Sequence, residues 1–477
     1  MININFNKKY KSFLNPADYF FDGDLVVLVG ENGSGKTHLF EIITQKNIGI
    51  FKSSVSFAEG VQVTKENIIN KTFQPSLSDS SADTNFFNTV TESLFNYYQN
   101  GNIDPNFSNS IDIFKGVLSS IDIEKIKTGD DSLKLDVKNE LRKKIRMIPD
   151  LHLKWQPNDI FSSQNISTIF REYTVRRTRY CESNKGLTYE DFKKNFSSLY
   201  PEPWKVLNSL FSKLGFEYRF KEDYESDDDD FRQNISLFNK KQEKLNYGIN
   251  ELSSGEKQIF SLVVSAFNLA NLQDSSPKLL LLDEYDATLN PSLIDAYFMI
   301  IKDFYLDKGH KVIMASHSTD TIYGAKKILG DIPKFYKINK LSDENASDIN
   351  KRIEKINENE NTYAFITYKV FGVYSNDLHN YLYGYIQSEK GLNSLLLDDF
   401  FLEKGIEYNN PFFITKFEYW FKDNTSDTCS FTLTLSNFIR HKIHHPENKN
   451  PKNRPDFTLE ELEASIKFLL KIKKELI

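Results

Sequence analysis

Gly30-Glu31-Asn32-Gly33-Ser34-Gly35-Lys36-Thr37 decides the fold through what stands on either side of it. The apolar run Leu25-Val26-Val27-Leu28-Val29 leads into it, and His38-Leu39-Phe40-Glu41-Ile42-Ile43 continues with helical spacing, so the segment reads as strand, loop, helix. Glycines at this spacing let successive backbone N–H groups point inward around oxygens, a conformation that side chains would obstruct. The following helix adds its positive end to the same oxygens. Gly30, Asn32, Gly33, Ser34 and Gly35, with Lys36, Thr37 and His38 at the helix start, are therefore expected to cradle phosphate. Lys36 is expected to reach the β- and γ-phosphates of a nucleoside triphosphate, and the Thr37 hydroxyl to ligate Mg²⁺.

Three later segments complete this reading. Leu279-Leu280-Leu281-Leu282 is a run of buried-strand type that ends in Asp283 and Glu284. Asp283 is expected at the carboxyl end of the sheet, where a metal-binding carboxylate belongs, and Glu284, the next residue, points elsewhere, to orient and deprotonate a water. After a helix from Pro291 to Phe304 and a strand from Lys311 to Met314 comes Ala315-Ser316-His317, whose imidazole is expected to contact the γ-phosphate. Leu252-Ser253-Ser254-Gly255-Glu256 opens a helix through Phe267, so hydroxyl and backbone donors form an anion site there. Within one chain that site has no phosphate to bind, which implies a second copy.

These residues resemble the motifs of the ABC/SMC-type P-loop ATPase superfamily, in which two heads sandwich two nucleotides. Ser253, Ser254, Gly255 and Glu256 stand in the signature position, with Ser254 where transporters have Gly and Glu256 in place of Gln. Asp286-Ala287-Thr288-Leu289-Asn290-Pro291 resembles the dimer-contacting loop after the catalytic acid. The resemblance implies a metal-contacting glutamine, for which Gln74 is the candidate, Gln62 the competitor and a plain surface glutamine the equal alternative. The resemblance covers about 200 residues. It implies an α/β fold, an ABC-type head with a mainly parallel sheet, that binds ATP and Mg²⁺ and works as a dimer or higher even oligomer.

The chain of 477 residues exceeds what one core usually supports, and 39% apolar and 14% aromatic residues suffice to bury more than one. The head is expected at 1–95 and 235–345, a mainly helical insertion at 96–234, and a helical effector or docking domain at 346–477. Amphipathic stretches such as Asn85 to Gln99 and Ser132 to Met147 suggest the insertion, and the polar-helical composition from Ser342 through Asn361 begins the tail. Asp227 to Asp230 repel one another and read as a solvated loop. Arg171, Arg176, Arg177 and Arg179 read either as a phosphate-binding face or as a solvated one. Cys181 and Cys429, far apart and without metal spacing, suit a reducing cytoplasm. Met1 to Phe6 alternates like a strand, and no apolar run approaches the roughly 20 residues of a membrane helix. A net charge of -6 gives no global attraction for nucleic acid.

The tail carries a second constellation, Asn437-Phe438-Ile439-Arg440-His441-Lys442-Ile443-His444-His445-Pro446. Arg440 and His445, four residues intervening, resemble the motif of HEPN ribonuclease domains, with His379 and Tyr383 at helical spacing in the same bundle. A structural or docking helix end, or zinc binding by His441, His444 and His445, are the other readings. The whole resembles the OLD-like ATPases of bacterial antiphage systems: Septu and PARIS, whose ATPases hold a separate nuclease of HNH or TOPRIM type, and the RloC and PrrC anticodon nucleases. The acidic set of a TOPRIM nuclease is not recognisable after the ATPase. The resemblance implies a nucleotide-driven gate over a nuclease, with DNA or tRNA as possible contacts and no membrane. A ribonuclease in cis and a DNA-repair ATPase are the alternatives.

Overall fold

The computed structural model describes residues 1–44, 53–64, 67–72, 81–101, 117–146, 148, 166–186, 188, 191, 194–197, 202–220, 237–239, 242–247, 252–270, 276–340, 352–357, 360–414, 417–422 and 428–476. They form two compact units, Met1–Glu354 and Lys355–Ile477. Among the described residues no helix is long and apolar enough to cross a membrane.

The first unit begins with β1 (Ile2–Phe6) and β2 (Ala17–Phe21), an antiparallel pair. Ile2, Ile4 and Phe6 are buried and the residues between them are not, the period-2 pattern that sheet pleating imposes. β3 (Leu25–Val29) is buried at every position and runs through the glycine loop into helix Lys36–Ile43. β4 (Ser53–Phe57) pairs with the other side of β1, and β5 (Ile68–Thr72) joins a second sheet.

Helices Ser81–Asn100, Ser120–Thr128, Asp131–Arg146, Ile166–Ser183 and Pro203–Lys213 follow, in the stretch expected as an insertion. Helix Ser81–Asn100 crosses the expected 95/96 boundary. Its Val90 and Leu94 pack with Leu118, Ile126, Val137, Leu141 and Ile145, residues of the two helices that follow and the segment before them. Strands β6 (Tyr218–Phe220), β7 (Leu237–Asn239) and β8 (Gln242–Tyr247) make a small antiparallel sheet that the helical reading omitted. β7 pairs with β6, on the other side of the expected 234/235 boundary, and β8 pairs with β7. Arg176, Arg177 and Arg179 lie on helix Ile166–Ser183, half-buried or exposed, whereas Asp227 to Asp230 lie outside the described residues.

The chain then forms helix Ser254–Ala270, β9 (Leu279–Asp283), helix Pro291–Ile300 continued by a π-helical turn Ile301–Tyr305, β10 (Lys311–Ser316), helix Thr319–Leu329, β11 (Pro333–Ile338) and β12 (Ile353–Lys355). β12 is extended where the composition suggested helix. The main sheet has the order β12-β11-β3-β10-β9-β5, and the pairs from β11 to β5 are parallel. The fold is thus α/β with a mainly parallel sheet. Parallel strands covered on both faces read as continuous apolar runs, which is why the leucines of β9 are all buried; each contributes about 2 kcal/mol through the hydrophobic effect. Register aligns Val29 with Ser316 and Asp283 with both Ala315 and Thr72, so the strand ends that carry chemistry share one edge.

The second unit packs helices Tyr363–Phe371, Asn376–Lys390, Ser394–Glu407, Leu435–His444 and Leu459–Leu476 around Leu378, Leu382, Phe401, Phe438 and Leu469. It also holds an antiparallel hairpin, β13 (Phe417–Lys422) with β14 (Thr428–Leu433), which the expected helical domain lacked. The Lys473 ammonium is buried against the faces of Phe365 at 4.4 Å and Tyr385 at 5.1 Å, a setting in which the ring quadrupoles offset its desolvation.

Candidate nucleotide site

The loop from Gly30 to Thr37 lies at the carboxyl end of β3. Gly33 and Gly35 have φ of +79° and +99°, a region that side-chain-bearing residues rarely adopt. A Cβ on Gly30 would lie 2.8 Å from the Ile338 carbonyl, so this glycine is required by close approach of β11. Gly35 caps helix Lys36–Ile43 without a side-chain hydrogen bond, leaving the first-turn amides with the anion-binding character of a helix start. Asn32 is exposed at the loop rim.

Lys36 is 4% exposed and donates to the carbonyls of Gly30 at 2.8 Å and Glu31 at 3.2 Å. Burial pushes its pKa down, opposed by Glu284, Asp283 and Asp286. The Thr37 hydroxyl hydrogen-bonds Asp283, whose pKa burial raises. Asp283 Oδ1 and Ser34 Oγ are buried and have no hydrogen-bond partner among the described residues. A hard divalent cation takes oxygen donors of this kind, so the Thr37 and Asp283 pair fits Mg²⁺, and Ser34 fits a cradled anion. His38 turns its Nδ1 to Ser12 Oγ at 2.8 Å. Gln74 lies outside the described residues, two positions beyond the Thr72 that pairs with Asp283. Gln62 is exposed and bridges to Ser56 in the region of the N-terminal sheet.

Glu284 has φ of +49°, left-handed backbone that costs a side-chain-bearing residue about 1 kcal/mol or more. That turn brings its Oε1 to 4.0 Å from Lys36 Nζ and 3.4 Å from His317 Nδ1. β10 lies between β3 and β9 and so delivers His317 beside both. The following Asp286 departs from its expected place in a dimer-contacting loop. It is buried and accepts hydrogen bonds from Ser316 at 2.5 Å and from Thr321, which ties the turn after Glu284 to β10. Ala287 and Asn290 of the same loop remain exposed.

Ser253 and Glu256 form a capping box. Ser253 donates through its hydroxyl at 2.6 Å and its amide at 2.9 Å to Glu256 Oε2, and the Glu256 amide donates back to the hydroxyl at 3.3 Å. The anion position at this helix start is thus taken by the chain's own carboxylate. A Cβ on Gly255 would lie 2.7 Å from the Thr288 carbonyl, and Gln258 accepts from Tyr285 at its carbonyl and from Thr288 at its side chain. Ser254 begins the helix proper. The signature segment and the loop after Glu284 are one bonded assembly, and Phe260 stacks on Phe211 of the insertion at 5.2 Å.

In the second unit, Arg440 donates to Asn380 at 2.6 Å and lies 5.2 Å from the Tyr383 ring centre. Burial, then His445, His444 and Arg440, push the pKa of His441 down to about 4. His445, exposed, pairs with Glu447 at 3.1 Å. His379 is fully buried against Ser465. Among the described residues no group of three His, Cys, Asp or Glu is placed to hold a metal, so His441, His444 and His445 do not make a zinc set.

A sequence family described as "AAA domain, putative AbiEii toxin, Type IV TA system" matches residues 25–322. No curated protein matches the chain. Similar solved structures include the Pyrococcus furiosus Smc head domain bound to the C-terminal domain of ScpA, at 14% identity and TM-score 0.35, with 75% of this chain and 96% of that one covered. The ADP conformation of MJ1267, an ATP-binding cassette of an ABC transporter, matches at 13% identity and TM-score 0.32 over 78% of this chain and 98% of that one. The recombination mediator protein RecF matches at 14% identity and TM-score 0.31 over 74% and 97%.

Proposed function

This chain belongs to that AAA-domain family of P-loop ATPases, and on that premise we propose that it is an ATP-driven sensor and gate of a bacterial antiphage system, closing as a dimer around two nucleotides to control a nuclease. The observation that carries the reading is the convergence of Lys36, Thr37, Asp283, Glu284 and His317 at one sheet edge. The triphosphate lies along the loop amides, and Lys36 exchanges the Gly30 and Glu31 carbonyls for phosphate oxygens. Thr37 and Asp283 would hold Mg²⁺, which when bound would neutralise phosphate charge. Glu284 orients the attacking water and takes its proton at Oε1, and His317 bears on the γ-phosphate side of the same carboxylate. Ser253 and the amides behind it serve the nucleotide of a second protomer, exchanging Glu256 for phosphate.

The family's description names a toxin of a type IV toxin–antitoxin system, which supports a growth-arresting output. That output is assigned to a separate nuclease subunit of HNH or TOPRIM type. A second reading, in which the tail itself is a HEPN-like ribonuclease acting on tRNA, is favoured by one observation. Arg440 is held by Asn380 and the Tyr383 ring beside His441, His444 and His445, as a group that stabilises phosphorane charge would be.

Sedimentation of Glu284→Gln with MgATP tests the gate. A stable dimer that does not turn over is expected, and Lys36→Ala should stay monomeric. A Glu284→Gln protein that hydrolyses ATP at the wild-type rate, or never dimerises, would refute it. The second reading requires RNA cleavage by the purified wild type that Arg440→Ala abolishes.

A further inference from the structure

Beneath the phosphate loop stands a cation that no motif marks. Arg352 is 2% exposed and is the largest fully buried side chain among the described residues. Its Nη2 donates to the Ser34 carbonyl at 2.5 Å, across 318 positions of sequence. Its guanidinium sits 5.2 Å from the Phe13 ring centre, and its own carbonyl accepts from the Asn339 amide at 3.1 Å. A Cβ on Gly35 would lie 2.8 Å from Nη2, so this glycine serves the approach of Arg352 as well as the loop's left-handed turn.

Arg352 directly precedes β12, which runs into Lys355, the first residue of the second unit. The segment that leaves the head therefore passes its anchoring charge under the nucleotide loop first.

We propose that Arg352 is a positioning residue for nucleotide binding. It pins the Ser34 carbonyl outward from the cradle, so that the amides of the loop face the phosphates, and it sets a permanent positive charge behind them. A guanidinium suits both tasks, because it cannot lose its proton in a protein and its planar fork stacks on a ring while donating. The tether acts on the cradle and not on the γ-phosphate, so ADP and ATP should feel it alike. This inference rests on the nucleotide-site reading above.

Calorimetric titration of the full chain with MgATP and with MgADP tests it. R352Q, which keeps a donor but no charge, should bind both nucleotides at least about tenfold more weakly, the loss of one charge-assisted hydrogen bond. R352K should recover to within about threefold of wild type. Wild-type affinity in R352Q, or equal affinity in the two variants, would overturn the proposal. Lys36→Ala separates the two failures: if it also leaves affinity unchanged, the nucleotide site itself is misassigned, whereas weakening in Lys36→Ala alone sinks only the tether. Should R352Q not fold, amide exchange in R352K decides. Exchange at Ser34 to Lys36 should quicken at least threefold while helix Asn376–Lys390 is unaffected, and unchanged exchange in the loop would overturn the tether.

Discussion

His317 Nδ1 lies 3.4 Å from Glu284 Oε1, although 32 residues of chain separate the two strand ends that present them. The contact exists because β10 is inserted between β3 and β9 and because Glu284 adopts left-handed backbone. A carboxylate held by an imidazole on one side and an ammonium on the other has its orientation set by the fold.

Removing the imidazole should therefore cost turnover more than binding. His317→Ala is expected to lower kcat by about 10²-fold, within the range of a positioned acid–base partner, while the ATP dissociation constant changes less than about threefold. Single-turnover hydrolysis beside equilibrium binding separates the two, and equal losses in both would show that His317 serves binding only.

Asp286 should act on stability and chemistry together. Asp286→Ala leaves the Ser316 and Thr321 hydroxyls without their buried acceptor, for an expected loss of about 2–4 kcal/mol in urea unfolding. Ser316→Ala, which removes one donor and keeps the carboxylate, should cost less. If both variants unfold at the wild-type midpoint, the network does not hold the turn after Glu284.

The capping box gives the signature segment two separable roles. Ser253→Ala should destabilise its helix by about 1 kcal/mol. Ser253→Arg should spare nucleotide binding by Lys36 and abolish turnover. Full hydrolysis in the arginine variant would mean that no second protomer uses this helix start.

His379 makes the second unit acid-sensitive. Burial, with a smaller contribution from Arg440, pushes its pKa from 6.5 down to about 3. The folded ring stays neutral through that window while the unfolded ring takes a proton below pH 6.5. The unfolded chain then binds more protons, so stability falls as pH drops from 6.5 toward 3, by up to about 1.4 kcal/mol per pH unit. His379→Gln should lose its share of this slope and keep the part that His441, also pushed down by burial, contributes, and urea curves whose pH dependence matches wild type would assign the sensitivity elsewhere.

Much of the head was legible without tertiary information. Buried parallel strands have no polar alternation, so Leu25 to Val29 and Leu279 to Leu282 announced themselves, and a phosphate loop requires glycine where φ turns positive, as at Gly33 and Gly35. The joining of β7 and β8 to β6 in one sheet was not legible, because sequence pattern names a face to be buried without naming what pairs with it or buries it. The small hairpin of the second unit escaped for the same reason: β13 and β14 are aromatic-rich, and rings serve a helix bundle as well as a sheet.

By itself, the amino-acid order determined the chemistry of the nucleotide loop, the acids that end β9 and the capping serine of helix Ser254–Ala270, since each depends on residues within one turn or strand of one another. The tertiary fold alone decided that Asp286 points inward to Ser316 and Thr321 and that Arg352 reaches Ser34 across 318 positions. The difference is physical. Backbone conformation is set by neighbours in the chain, whereas the partner of a buried charge is set by which distant strands the sheet brings side by side.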